Sequence, residues 1–445
     1  MKNLFKKLMP LISLSMLIGI GCRKQDEFFH PENPHHGSEK IDSYVAQSWY
    51  NLMLQLIVET PGHTPPITAR SFGYTGVTLY EVLVGERPQH HSLVGQLNGL
   101  NSIPQRVHGN SYIAPITANA ALARIIKDLF QNASAVNMSR IDSLESANIN
   151  LYAKYFNEKI IARSRDYGHA VADAVFKWSL TDGGHEAYLR NFPSDYTPPV
   201  GVDKWIPTPP LYQPAILPYW GNNRPMVSTD GAGPVDPPIP PVFSTSSGSS
   251  FYRAAYEVYN TAANLSPEQK TIALYWNRGA TTFTPPGHNI AITLQMIRRN
   301  HLSLNEAAML LAKVGIAVND AGIVCWRAKY TWNLMRPVSF IRTYIDPSWM
   351  PLIVTPPFPS YTSGHSTFSA ATAAILTAEI GDQISFTDSS SIAYGFSPRS
   401  FTSFNEYAQE AAVSRLYGGI HYRFDNDKGL TCGQQIAMNV EGVNW

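Results

Sequence analysis

Apolar residues recur at helical spacing over most of this 445-residue chain. From Ile41 to about Asp195 they alternate with polar ones; within Asp142 to Trp178, for example, Leu151, Tyr155 and Ile160 recur, and Ala170, Val171 and Val175 follow. That is the period of a helix with one buried face. Strand-like alternation bounded by tight turns is scarce, so several helices of a bundle are expected here. Residues 196–250 break the pattern with proline pairs at 198–199, 209–210, 237–238 and 240–241 and an SSGSS run at 246–250. Proline removes backbone donors and restricts its predecessor, so this stretch cannot sustain helices. Its Trp205, Tyr212, Tyr219 and Trp220 are more than a linker needs. It reads as a loop packed over the helices near the entrance of a site, with a plain interdomain connection as the alternative. Helices return in 251–445, where Ser266-Pro267-Glu268-Gln269, Ser303-x-x-Glu306 and Ser403-x-x-Glu406 mark helix starts by the capping-box device. Ala307 to Trp326 is apolar almost all round, the mark of a central buried helix. The expected fold class is all-α, with helical regions at 41–195 and 251–445 on either side of the Pro-rich loop.

Composition narrows the partners. A hydrophobic fraction of 44% supports a substantial core, and a net charge of +1 leaves no chain-wide field to recruit nucleic acid or an anionic membrane. Any anion site must be built locally. The first 22 residues place Lys2, Lys6 and Lys7 before an apolar run from Leu8 to Gly21 that is too short to span a bilayer, the layout of a secretory signal. Gly19 and Gly21 before Cys22 resemble a bacterial lipoprotein processing site, although Gly19 stands where leucine is usual, so the chain is expected to be exported and anchored through lipid on Cys22. Residues 23–40 suit a flexible tether, with His30, His35 and His36 read as solvated spacers rather than metal ligands.

Candidate chemistry lies in three segments of the last third: KYTWNLMRP (329–337), TSGH (362–365) and SRLYGGIHYRFD (414–425). Lys329 and Arg336 are seven residues apart, about two turns if the helix persists, and Pro337 places the arginine where that helix ends. Ser363, Gly364 and His365 precede a small-residue run ending at Gly381, so they form a helix start, whose free amides and positive dipole end favour an anion. A helix from Ser403 to the Gly418–Gly419 pair puts Arg415 in its last turn and His421 just beyond. Asp425, four residues on, can accept from one imidazole nitrogen and leave the other as nucleophile or metal ligand. Together these make an oxyanion cradle with two histidines.

In order and internal spacing the three segments resemble the signature shared by type 2 phosphatidic acid phosphatases, bacterial acid phosphatases and vanadium-dependent haloperoxidases; Thr362 departs from a common proline. The resemblance implies the helical-bundle fold of that superfamily, with Lys329, Arg336, Ser363, Gly364 and Arg415 holding the oxyanion, His421 as axial vanadium ligand or phosphorylated nucleophile, and His365 as acid/base. The surroundings are similar to the haloperoxidase branch: PPFPSYTSGHSTFSAA (356–371), Trp326 and Phe358 at apolar halide-site positions, and upstream TPPITARSFGYTGVTLYEVL (64–83), PAILPYWGNNRPM (214–226) and TPPGHNIAITL (284–294). That branch implies vanadate rather than haem as cofactor, hydrogen peroxide and a halide as substrates, and, since bromoperoxidases commonly carry histidine where Phe358 stands, iodide ahead of bromide. Bacterial iodoperoxidases look closest.

Two other readings stay open: a phosphomonoesterase acting through a phosphohistidine at His421, and a surface lipoprotein that only binds the oxyanion, which the retention of both His365 and His421 disfavours. His63 and His288 are expected to pack in loops rather than line an entrance. Cys325 and Cys432 are expected to be small buried side chains.

Overall fold

The structure, a computed structural model, describes residues 42–86, 89–227, 236–279 and 281–445. The secretory signal, Cys22 and the tether with its histidines lie outside the described residues. Among those described the chain is helical, as the periodicity implies: α1 (Tyr44–Glu59), α2 (Pro65–Leu83), α3 (Ala114–Leu129), α4 (Ala135–Ala153) and α5 (Glu158–Ser179) precede the Pro-rich stretch. After it come α6 (Ser250–Ala263), α7 (Pro267–Tyr275), α8 (Thr284–Arg299), α9 (Leu304–Trp332), α10 (Pro337–Tyr344), α11 (Gly364–Ile380), α12 (Phe404–Tyr417) and α13 (Arg423–Glu441). One small antiparallel hairpin, β1 (Phe386–Asp388) with β2 (Arg399–Phe401), was not foreseen.

Local signals explain most boundaries. Ser266 and Ser303 close full capping boxes with Gln269 and Glu306. Ser403 caps Glu406, but the Glu406 carboxylate turns to Thr402 instead of back to Ser403, so the third box is half of one. The periodic stretch 142–178 is two helices, because Asn157 caps Ile160 and starts α5 four residues after α4 ends.

α9 is the central element, in contact with α1, α2, α8, α11 and α13. It is long and apolar enough to cross a membrane, yet its most apolar window is 94% buried, so here it is a core helix. α2 lies against it at backbone distance: a Cβ on Gly315 would stand 2.6 Å from the Phe72 carbonyl oxygen, and one on Gly76 2.7 Å from that of Leu311. α13 approaches α11 the same way, since a Cβ on Gly433 would meet the Thr367 oxygen at 2.4 Å and one on Gly429 the Ser363 oxygen at 2.8 Å. One apolar cluster runs from Val45 through α2, α3, α9 and α11 to Val440, so helices from both sides of the Pro-rich stretch share a core. That stretch packs on α9, with Trp205 fully buried and its amide bonded to the Asn333 carbonyl, and the Ile216 oxygen accepting from Trp326 Nε1 and Tyr330 Oη. Tyr212 and Tyr219, by contrast, are exposed.

Candidate active site

Five helix ends converge on the cradle. Lys329 sits inside the last turn of α9 rather than after it, and the helix stops at Asn333, which adopts the left-handed conformation (φ 48°). Arg336 is therefore not two turns further along the same helix. The loop 333–336 carries it round to become the N-cap of α10, with the Met335 amide held by the Asp203 carbonyl and the Leu334 carbonyl by the Ser360 amide. Ser363 is the N-cap of α11, and its own amide donates to the Asp425 carbonyl, which ties the start of α11 to the first turn of α13. Arg415 lies in the last turn of α12; Gly419 (φ 78°) then reverses the chain and delivers His421 two residues before α13 begins.

The contacts define what each side chain can do. Lys329 Nζ, fully buried, donates to the carbonyls of Pro359 (3.0 Å), Ser360 (3.0 Å) and Thr362 (2.6 Å). An ammonium has three donors, so Lys329 shapes the 359–362 backbone and supplies charge. Arg336 Nε donates to the Phe358 carbonyl (2.8 Å), and Nη1 to the Ile420 carbonyl (2.7 Å) and to His421 Nε2 (3.1 Å), while Nη2 is buried without a partner. Arg415 Nη1 donates to the Trp276 carbonyl (3.1 Å), and its Nε is likewise buried and unpartnered. His421 Nδ1 meets Asp425 Oδ2 at 2.9 Å, and that oxygen also accepts from Ser360 Oγ and the Tyr422 amide. Because Arg336 can only donate, His421 must accept at Nε2 and carry its proton on Nδ1 toward Asp425. His365 Nε2 lies 2.8 Å from the Trp276 carbonyl, an acceptor only, so the proton of a neutral His365 is on Nε2 and Nδ1 holds the lone pair.

None of the three cations forms an ion pair with a carboxylate among the described residues. Burial accordingly presses on every charge. It pulls Arg336 down to about 10, and pulls Arg415 down to about 9 with Arg336 adding repulsion. It lowers Lys329, raises Asp425, and holds His365 and His421 well below the ordinary imidazole range, the neighbouring cations reinforcing both histidine shifts. A buried positive surplus with two orphan guanidinium donors is costly unless an anion completes it. The start of α11 adds the free amides of its first turn. A Cβ at Gly364 would meet only ordinary contacts with Phe368, Trp326 and Cys325, so protein packing does not force this glycine; it leaves space in front of the helix end. Among the described residues no group of three or more His, Cys, Asp or Glu converges to hold a metal cation. The donor set fits a tetrahedral oxyanion such as vanadate or phosphate, and His421 Nε2 offers it a nitrogen lone pair.

One wall is apolar. The rings of Trp326 and Phe358 meet at 5.1 Å, and Phe358 lies 4.8 Å from Lys329 Nζ and 4.9 Å from the Arg336 guanidinium carbon. The structure thus brings Lys329, Arg336, Ser363, Gly364, His365, Arg415, His421, Asp425, Trp326 and Phe358 into one neighbourhood.

Sequence reasoning missed Ser360 and the Trp276 carbonyl that His365 and Arg415 share. It also misplaced His288, which is in α8 rather than a loop, buried, and paired with Asp388 at 2.6 Å. His63 does pack in a loop, stacked on Phe130 at 4.3 Å. Cys325 and Cys432 are free thiols, both buried.

Comparison with known proteins bears on the family and the fold. Residues 309–443 match the family model described as the VCPO second helical-bundle domain. A vanadium chloroperoxidase from Curvularia inaequalis is 32% identical over 132 residues, which is 24% of this chain and 22% of that protein, so the match spans about a fifth of the curated relative. The solved structure of a bacterial vanadium-dependent iodoperoxidase superposes with a TM-score of 0.82 at 33% identity, covering 91% of this chain and 96% of that one. A holo-type bacterial vanadium-dependent chloroperoxidase shares the fold, with a TM-score of 0.68 at 16% identity over 91% of this chain and 98% of that one.

Proposed function

The chain belongs to the vanadium-dependent haloperoxidases, and from that premise we propose that it binds vanadate in the cradle and oxidises iodide, and less readily bromide, with hydrogen peroxide to the hypohalous acid. The observation that carries the reading is the surplus of buried cations around a His–Asp pair: Arg336 Nη2 and Arg415 Nε lack partners beside a His421 whose Nε2 lone pair is fixed by Asp425. Vanadate, when bound, supplies a Lewis-acidic centre that activates peroxide toward a halide without itself changing oxidation state.

Everything else falls to the protein. Arg336, Arg415 and the first amides of α11 would hold the oxyanion, and Lys329 would add charge while keeping the 359–362 backbone in place. His421 would bind through Nε2. His365 Nδ1 would take the proton that peroxide loses and return it, and a further proton drawn from solvent completes the conversion of halide and peroxide to hypohalous acid and water. The Trp326–Phe358 wall would present a weakly hydrated, polarisable halide to the site, which favours iodide; the name of the iodoperoxidase relative points the same way. Export and anchoring through Cys22 belong to the same proposal, and metabolic labelling with a radiolabelled fatty acid checks them.

The test is reconstitution with orthovanadate followed by peroxide and each halide in turn. Vanadate-dependent oxidation, fastest with iodide, is expected; His421→Ala should lose vanadate retention, and His365→Ala should slow turnover while retaining the oxyanion. Absence of turnover with every halide, together with hydrolysis of p-nitrophenyl phosphate by the metal-free protein, would overturn the proposal in favour of a phosphatase using His421.

A further inference from the structure

We propose that Trp276 is a positioning residue for both His365 and Arg415, and that the buried His288–Asp388 pair behind it sets its geometry. This rests on the reading of His365 as acid/base and Arg415 as anion donor. Trp276 follows the last residue of α7 and is 1% exposed. Its carbonyl oxygen accepts from His365 Nε2 at 2.8 Å, from Arg415 Nη1 at 3.1 Å and from the Arg278 amide at 2.9 Å. One main-chain atom thus links the start of α11 to the end of α12. It also sets which His365 nitrogen carries the proton and where one guanidinium points.

The direction of that carbonyl follows the backbone at Trp276, whose amide is bonded to the Ile272 carbonyl, and the seating of the indole holds that backbone in place. The Trp276 indole donates to Glu410 Oε1 at 2.9 Å, and Glu410 is itself clamped by Arg399 through two contacts of 2.6 Å. One face of the indole stacks on His288 at 4.5 Å and 27°, and Tyr407 lies near-parallel to it at 6.2 Å. His288 Nε2 is 2.6 Å from Asp388 Oδ2, and the same carboxylate accepts from Tyr275 Oη (2.7 Å), Gln295 Nε2 (3.2 Å) and the Ser390 amide (2.9 Å). His288 and Asp388 are 1% and 0% exposed, and His288 Nδ1 has no partner. A buried histidine–carboxylate contact of this kind is weak as a stability device. It does fix an aromatic plane, and a hydrogen bond to a carbonyl weakens steeply once its angle opens. Misplacement by about 1 Å at a reacting group costs on the order of a hundredfold in rate.

The experiment compares the reconstituted parent with His288→Ala, His288→Phe and Asp388→Asn. In His288→Ala, kcat for iodide should fall at least tenfold with KM for iodide within twofold, and phosphate affinity by calorimetry should weaken severalfold through Arg415. The imidazole 15N signals of His365, assigned by their loss in His365→Gln, should change from the single Nε2–H form to a mixture. His288→Phe restores a ring against the indole and should recover most of each effect. Asp388→Asn, which keeps the pair's shape, should fall between the parent and His288→Ala and serves if the alanine variant does not fold. Parent-like 15N signals and phosphate affinity in a folded His288→Ala, or in Asp388→Asn if the alanine variant does not fold, would overturn the inference. A parent that oxidises no halide would instead overturn the proposed function, and the 15N signals would still decide this point.

Discussion

Arg70 in α2 and Arg336 at the start of α10 are comparably buried, and their surroundings treat the charge in opposite ways. Arg70 forms a two-pronged pair with Asp182, 2.6 Å at Nε and 3.3 Å at Nη2, and Nη2 also donates to the Ser179 carbonyl. Tyr74 Oη and the Gly184 amide complete the Asp182 carboxylate. That charge is neutralised, and it ties α2 to the end of α5. Arg336 has carbonyls and a neutral imidazole instead of a carboxylate, and one unpartnered nitrogen. Where the fold needs an arginine as a strut it supplies the counter-ion. Where the site needs one it withholds it, so that a ligand must bring the negative charge.

The largest effects should separate these two kinds of arginine. Arg70→Met leaves Asp182 buried and unpaired and should destabilise the protein by about 3–5 kcal/mol, with turnover per folded molecule retained. Arg336→Met removes an uncompensated charge; its melting temperature should stay level or rise while vanadate affinity falls on the order of a hundredfold or more. Thermal melts and vanadate titration on both variants check this. Equal loss of stability in the two would break the comparison.

The next effect concerns how the cradle is held. A Cβ on Gly429 would stand 2.8 Å from both the Ser363 oxygen and the Ser366 Cβ, so Gly429→Ala must push the first turn of α13 away from the start of α11. Overpacking of this kind costs about 1–3 kcal/mol. Because Asp425 and Ser363 straddle that contact, vanadate affinity should fall with it, by about tenfold. Gly433→Ala lies one turn further from the cradle and should cost stability with less loss of affinity; the same two measurements rank the pair.

Buried histidines extend the comparison to pH. Burial holds His63 down at about 4, and its one polar contact to Asn132 does not reverse that. The unfolded chain therefore binds the proton first as pH falls from about 6.5, and the stability His63 contributes is present above that pH and lost on the way to about 4. The drop from about 6.5 to about 4 corresponds to about 3 kcal/mol. His63→Phe, which keeps the stack on Phe130, should flatten the decline in unfolding free energy between pH 7 and 4 by about that amount relative to the parent. A parallel decline in both proteins would show that His63 titrates normally.

The cradle was legible in the sequence because its parts are helix punctuation. Ser363 before a small-residue helix, Arg415 before a glycine pair and Asp425 four residues after His421 are fixed by local spacing. Lys329 and Arg336 were legible as residues but not as geometry, because a left-handed Asn333 ends α9 and sends the chain round a loop that no periodicity announces. The partners that orient the site were illegible for a different reason. Trp276 acts through a carbonyl, which every residue has, and it lies 89 residues from His365 and 139 from Arg415. The Lys329 acceptors are carbonyls too. His288 did carry a signal in its TPPGH setting, but its partner Asp388 sits on a three-residue strand about a hundred positions away.

The smallest expected effect contrasts two serine caps. Ser266 and Ser363 each accept from an amide three residues on, at 3.2 Å from Gln269 and 3.4 Å from Ser366. Replacing either cap with alanine should cost about 1 kcal/mol of stability. Ser266 serves only α7, with its capping box in an exposed setting, so Ser266→Ala should leave vanadate affinity and turnover unchanged. Ser363 faces the cradle with its hydroxyl hydrogen free, because the cap uses the oxygen as acceptor, so Ser363→Ala should lose a further severalfold of vanadate affinity for the same cost in stability. Melting curves and vanadate titration of the two variants decide it: equal stability costs with unequal affinities would make Ser363 a ligand donor as well as a cap, whereas equal affinities would reduce it to the structural role that Ser266 has.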